Sequence, residues 1–214
     1  MIATAAARRG SLTLATALLW VTLVYNVAEG AIGVTAGAIA GSVALMGFGL
    51  DSFIEVTAAA VLLWRLRMPD GDPQVEAREL VARRIVGATF VLLAAYVFGQ
   101  TAYVLATGNE PEASTVGIGL AIASLLLMPA LGLAKRWNAR LLHSHALIAE
   151  STETLVCSYL SVTLLMGLGA NAVFGWWWAD VAAALAMVPW IAKEGLEGLR
   201  GESCDEDCRI GGVQ

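Results

Sequence analysis

The sequence predicts an all-α membrane protein, a six-transmembrane-helix bundle with N and C termini cytoplasmic. Three observations carry this. Composition is the first: of 214 residues, 58% are hydrophobic and 14% charged, against about 25% charged in an average soluble domain, and mean hydropathy is +0.71. Second, the apolar residues fall into six runs near the ~20 residues that a spanning helix needs. Third, six spans with the N-terminus inside place all 13 Lys and Arg residues, from Arg8 to Arg209, on the cytoplasmic side. That is the positive-inside asymmetry, and a wrong helix count scatters these charges over both faces.

The first run covers 11–32. Arg8 and Arg9 ahead of it imitate a signal peptide, but the run continues through VTLVYNVAEGAIGV and has no Ala-x-Ala cleavage site, so it reads as a retained helix. The second covers 37–64. MPDGDPQVEARE, with two prolines and several acids, is a polar loop before the third helix, 85–105. TGNEPEAS is a short turn before the fourth, 114–134. The basic, amphipathic AKRWNAR leads to the fifth, 146–168, and the glycine-rich GLGANAVFG to the sixth, 173–192. Residues 1–194 thus form one transmembrane domain, and 195–214 a short acidic cytoplasmic tail. Gly33, Gly37 and Gly41 have small-xxx-small spacing, which lets helices approach closely. It reads as packing within one chain, with Gly37 also serving the turn.

Several function classes are excluded at this stage. The net charge is −5 with no basic patch, so no nucleic-acid partner is expected. Three cysteines are too few for a disulfide framework. No nucleophile–base pair or histidine cluster falls within the spans, so the protein is not expected to be an enzyme, and no cofactor is expected.

The second helix carries the sharpest signal. In GFGLDSFIEV, Asp51 and Glu55 lie four apart, on one helix face about 6 Å apart along the axis. An Asp at the centre of a spanning helix costs about 2.5–3.5 kcal/mol, and two carboxylates repel unless a proton or cation lies between them. The pair is therefore expected to bind a cation or carry a proton; the bland alternative is a protonated or hydrogen-bonded structural pair. The fifth helix offers a polar stripe, Glu150, Thr154, Cys157 and Ser161, flanked by Glu153. Its acids also suit a helix N-terminus, and Cys157 alone suits a buried core. Asn26 and Glu29, three apart toward the outer end of the first helix, either line an exit path or face headgroup water. Gln100 and Tyr103 read as interhelical hydrogen bonders. His145 and His143 sit beside the fifth helix, where they either hand on metal or face interfacial water. Cys204 and Cys208, in CDEDC, make either a weak metal-collecting tail or a soluble acidic terminus. Carboxylates with a hydroxyl or thiol suit a divalent transition metal. Without an intramembrane histidine, Zn²⁺ is not singled out over Mn²⁺, Fe²⁺ or Co²⁺.

Six helices, an acid-xxx-acid pair in the second and polar ligands in the fifth resemble the cation diffusion facilitator (cation efflux) family of divalent-metal transporters. SVALMGFGLDSFIEV is similar to that family's second helix, with Glu55 in place of the usual second Asp, and GWWWADVAAALAM, with Asp180, to the start of its sixth. The likeness covers the membrane portion only. The family's His-xxx-Asp or Asp-xxx-Asp is replaced here by Glu150-xxx-Thr154, or by Glu150 with Glu153. Its cytoplasmic ferredoxin-like domain and histidine-rich loop have no counterpart. The resemblance implies a homodimeric antiporter, paired through membrane helices, that exports a divalent metal in exchange for protons across a membrane, expected to be the bacterial cytoplasmic membrane. The alternatives are a non-transporting metal sensor or scaffold, and a monovalent cation or proton transporter.

Overall fold

In a computed structural model that describes residues 2–66, 73–108, 110–142 and 144–200, the chain runs through six helices: α1 (Ile2–Ala40), α2 (Val43–Arg65), α3 (Pro73–Thr107), α4 (Thr115–Leu142), α5 (His145–Phe174) and α6 (Trp178–Arg200). The described residues contain no strand. All but α6 are long and apolar enough, within the described residues, to cross a membrane. Asp180, Lys193, Glu194, Glu197 and Arg200 dilute the apolar content of α6. Its 23 residues still reach about 34 Å, a bilayer's hydrocarbon thickness, and it packs along α3 and α5. The molecule is an integral membrane bundle of α-helices.

Besides α3 starting at Pro73, inside the expected polar loop, and α4 running on to Leu142 through AKRWNAR, two helix breaks differ from the sequence expectation. The first is at Gly41, in left-handed backbone at φ 67°, followed by Ser42, which caps α2 by accepting from the Leu45 N–H. The expected break at 33–36 is helical instead, because its small residues form a contact surface. A Cβ on Gly33 would come within 2.9 Å of Gly49 Cα, and one on Gly37 within 2.7 Å of the Met46 backbone. Gly37 therefore serves packing, not a turn, and the close approach is between α1 and α2 of one chain, as expected. The second break is at Gly175, where φ is 66° and the N–H closes on Asn171 O at 2.9 Å; α5 runs to Phe174 and α6 starts later than residue 173.

The closest pairings are α1 with α2, α4 with α5, and α3 with α6. Gly87 and Gly195 make the last of these close: a Cβ on Gly195 would meet Val91 N at 2.8 Å. α2 touches α1, α3, α5 and α6, so its polar side chains face protein on several sides. The core around it includes Leu45, Phe48, Val97, Met128, Leu160 and Leu164. The exposed Val24, Leu92, Leu126, Leu133 and Met166 form the outer, lipid-compatible surface.

Candidate metal site

Asp51 and Glu55 are both buried, at 7% and 5% exposure. They form one wall of a cavity of about 20 Å³ between α2, α3, α5 and α6, room for an ion or a water. Glu153 of α5 and Glu194 of α6 add two more carboxylates, and Phe90 and Trp190 close it with aromatic rings. Glu153 and Glu194 are half-buried, so the cavity grades from a sealed end at α2 to a wetter one at the last turns of α6. Glu194 lies 14 residues below Asp180, roughly 20 Å down the helix. Charged groups acting on Asp51 are Glu55, Glu29 and Glu194; those acting on Glu153 are Glu150, Glu55, Glu194 and Asp51. Every one is an acid, which suits a cation between Asp51 and Glu153; at the cavity's edges Lys193 acts on Glu194, and Lys135 reaches Glu55 through the Thr154 hydroxyl. Among the described residues no three His, Cys, Asp or Glu side chains converge on one metal position. The carboxylates line the wall without closing on a point.

Glu150 and Thr154 face a different partner. Lys135 of α4 is fully buried. Its ammonium donates to Glu150 Oε1 at 2.6 Å and to Thr154 Oγ1 at 2.9 Å. The Thr154 hydroxyl in turn donates to Glu55 Oε1 at 2.8 Å. Lys135 thus neutralises Glu150 through an internal ion pair and reaches Glu55 through one hydroxyl. The sequence placed Lys135 in the basic segment AKRWNAR at the membrane edge; α4 continues to Leu142 and turns this lysine inward. The other predicted positions are distributed as follows. Cys157 is buried, 4.0 Å from Ser124 Oγ, and Ser161 donates to Cys157 O. Asn26 and Glu29 do not face headgroup water: both are buried, and Glu29 accepts from Ser52 Oγ at 3.1 Å. Gln100 and Tyr103 lie on the exposed face of α3, so they do not reach between helices of this chain. His145 opens α5; its side chain, His143, Cys204 and Cys208 lie outside the described residues.

Asp180 has a structural task. It accepts from Ser42 Oγ at 2.5 Å and from the Val43 N–H at 3.0 Å, joining the start of α6 to the exposed N–H groups that open α2. Glu194 is the lining residue that the sequence reading missed. Its signal was available: Met187, Trp190, Ile191 and Glu194 continue one helical face past residue 192.

The chain is similar to several known proteins. An uncharacterized transporter from Synechocystis is 28% identical over 157 residues, 70% of this chain and 50% of the relative. Transmembrane protein 163 of Xenopus laevis is 26% identical over 125 residues, 58% and 44% respectively. Magnetosome protein MamB of a Magnetospira strain is 24% identical over 206 residues, 90% and 70%. The chain spans about half the length of the first two. The model of the cation efflux transmembrane domain matches residues 19–201, most of the bundle and all four cavity carboxylates, and on that match the chain belongs to the cation efflux family.

Proposed function

We propose that this protein is a secondary transporter that exports a divalent transition-metal cation, of the Zn²⁺ class, from the cytoplasm in exchange for protons. The observation that carries the reading is the cavity lined by Asp51, Glu55, Glu153 and Glu194, with no base among the groups acting on Asp51 or Glu153. Carboxylates at membrane depth are strongly unfavourable as bare charges. They are relieved by protons or by a metal, and each displaces the other. The cation enters at the half-buried end past Glu194 and Glu153, and moves to Asp51 and Glu55. The carboxylates draw in from the wall as it sheds water. Glu153 is the fifth-helix ligand, because Glu150 is held by Lys135. Protons arriving from the opposite side then neutralise the acids and release the metal. Export accords with the family's description as cation efflux, and transport with the name of the Synechocystis relative, an uncharacterized transporter. A homodimer pairs through membrane helices, and the exposed Gln100 and Tyr103 on α3 offer polar groups for that contact. The membrane is the bacterial cytoplasmic one.

The test is flux. Purified protein in liposomes loaded with a metal-sensing dye and an acidic lumen is expected to take up Zn²⁺, Mn²⁺ or Co²⁺, and the lumen is expected to become more alkaline in step as protons leave in exchange. Metal binding without flux selects a sensor; a proton or sodium flux that no divalent ion inhibits selects a monovalent transporter. Flux by Asp51→Asn/Glu55→Gln at the wild-type rate overturns the assignment.

A further inference from the structure

A second group of buried polar atoms lies on another side of α2, toward α1 and α4. Asn26 and Glu29, three apart on one face of α1, are 0% and 1% exposed. Glu29 Oε2 accepts from Ser52. Glu29 Oε1, Tyr25 Oη and both amide atoms of Asn26 are buried and have no hydrogen-bond partner. The hydroxyls of Tyr25 and Ser124 face the Glu29 carboxylate. The groups acting on Glu29 are these hydroxyls, Ser52 and the acid Glu55, with no base among them.

Buried polar atoms in a folded protein are nearly always satisfied, and each exception calls for a physical account. Buried water is one candidate. Water satisfies amides and hydroxyls but not the charge of Glu29 at membrane depth, which a proton or a cation must compensate. Glu150, another sealed glutamate, has the Lys135 ammonium for that purpose. A cation held among Glu29 Oε1, Asn26 Oδ1 and the hydroxyl oxygens answers both demands at once. Counting charge fixes its valence. One carboxylate among neutral oxygens balances a single positive charge, whereas a divalent ion leaves an excess. An all-oxygen ligand set is hard, which excludes soft metals. We propose that Glu29, Asn26, Tyr25, Ser52 and Ser124 form a second cation site that takes a singly charged hard cation of the sodium class, separate from the four-carboxylate cavity. Ser52 follows Asp51 directly and precedes Glu55 by three residues, so the same turn of α2 borders both sites.

The experiment is ²²Na⁺ binding to the detergent-purified full chain, with choline replacing sodium and no divalent ion present. Saturable binding of about one Na⁺ per chain, weakened at least about tenfold by Glu29→Gln, is the expected result. Asn26→Asp adds a second carboxylate without removing the first and is expected to shift preference from Na⁺ toward Ca²⁺. That variant keeps the question answerable if Glu29→Gln does not fold. The proposal is overturned if wild-type protein binds no sodium, if Glu29→Gln binds it undiminished, or if Asn26→Asp leaves the Na⁺/Ca²⁺ preference unchanged. Divalent binding measured separately on the same preparation reports on the four-carboxylate cavity, so loss of one reading does not carry the other with it.

Discussion

Glu150 and Glu153 stand three residues apart on one helix, yet they belong to opposite electrostatic regimes. Glu150 is sealed inside the bundle with an ammonium at 2.6 Å, a permanent counter-ion built into the chain. Glu153 lines the cavity with Asp51, Glu55 and Glu194, and every charged group acting on it is an acid. Identical side chains on one helix are therefore divided between architecture and exchange. What decides the division is the neighbouring helix: α4 presents a lysine, while α2 and α6 present more carboxylates. Glu55 stands at the boundary, in the cavity on one side and bonded to Thr154 on the other. Any cation that binds there works against a hydroxyl already polarised by Lys135.

The widest separation between the two regimes is expected from Lys135→Met. Removing one member of a buried ion pair leaves the other charge unpaired and costs about 3–5 kcal/mol, while replacing both with apolar residues of similar volume is often near neutral. Denaturation in detergent is thus expected to show a large loss for Lys135→Met and recovery of most of it in Lys135→Met/Glu150→Met. If the single variant is as stable as wild type, Lys135 is not the counter-ion of Glu150 and the contrast between the two glutamates disappears.

In the cavity the expected effect falls on binding instead of stability. Asp51→Asn/Glu55→Gln keeps shape and removes two charges. Charge-assisted contacts contribute about 1.5–3 kcal/mol each, so divalent binding is expected to weaken by ~100-fold or more, read by calorimetry on purified protein. Folding is expected to hold or improve, because like charges in low dielectric repel. A variant that loses stability and binding together would place this pair with the architectural acids.

The comparison within α5 sharpens next. Glu153→Gln is expected to lower divalent affinity about tenfold with little change in stability, a difference of about 1.4 kcal/mol. Glu150→Gln is expected to do the reverse, lowering stability by orphaning Lys135. Equal effects of the two variants on metal binding would mean that Lys135 yields Glu150 to the metal and that α5 supplies both acids.

How much of this was legible in the residues follows from where the information lies. Helix count and the i, i+4 acids of α2 are local patterns, so a sequence carries them in full. Lys135 was obscured by its neighbours Arg136 and Arg140, which make the segment look interfacial. Yet Gly117, Ala121, Ser124, Met128, Leu131, Lys135 and Asn138 are all buried and recur at three- and four-residue steps. That stripe is a seam continuing past the expected helix end at 134, and it is the signal that predicts an inward lysine. Glu194 was lost in the same way, by ending α6 at 192. The expected turn at 33–36 failed because small residues serve turns and close helix contacts alike; only the partner, Gly49, distinguishes them. The pairing of Glu29 with Ser52 joins helices one and two at a depth that neither helix records alone.

Asp180 gives the smallest expected effect and the cleanest control. It is a fully buried acid, as sealed as Glu150, and it lies in the segment most similar to the start of the family's sixth helix. Its oxygens are occupied by Ser42 and by the Val43 N–H, with Ala44 N–H at 3.5 Å. A carboxylate at a helix N-terminus satisfies orphan N–H groups and meets the positive end of the dipole, so no exchangeable ion is needed. Asp180→Asn keeps an acceptor for the backbone and loses the charge. Capping changes amount to about 1 kcal/mol, and a loss of that order in stability is expected, with divalent affinity within about twofold of wild type. If instead Asp180→Asn abolishes metal binding while stability stays put, then acids bonded to the chain also serve exchange, and the division drawn between Glu150 and Glu153 does not govern this bundle.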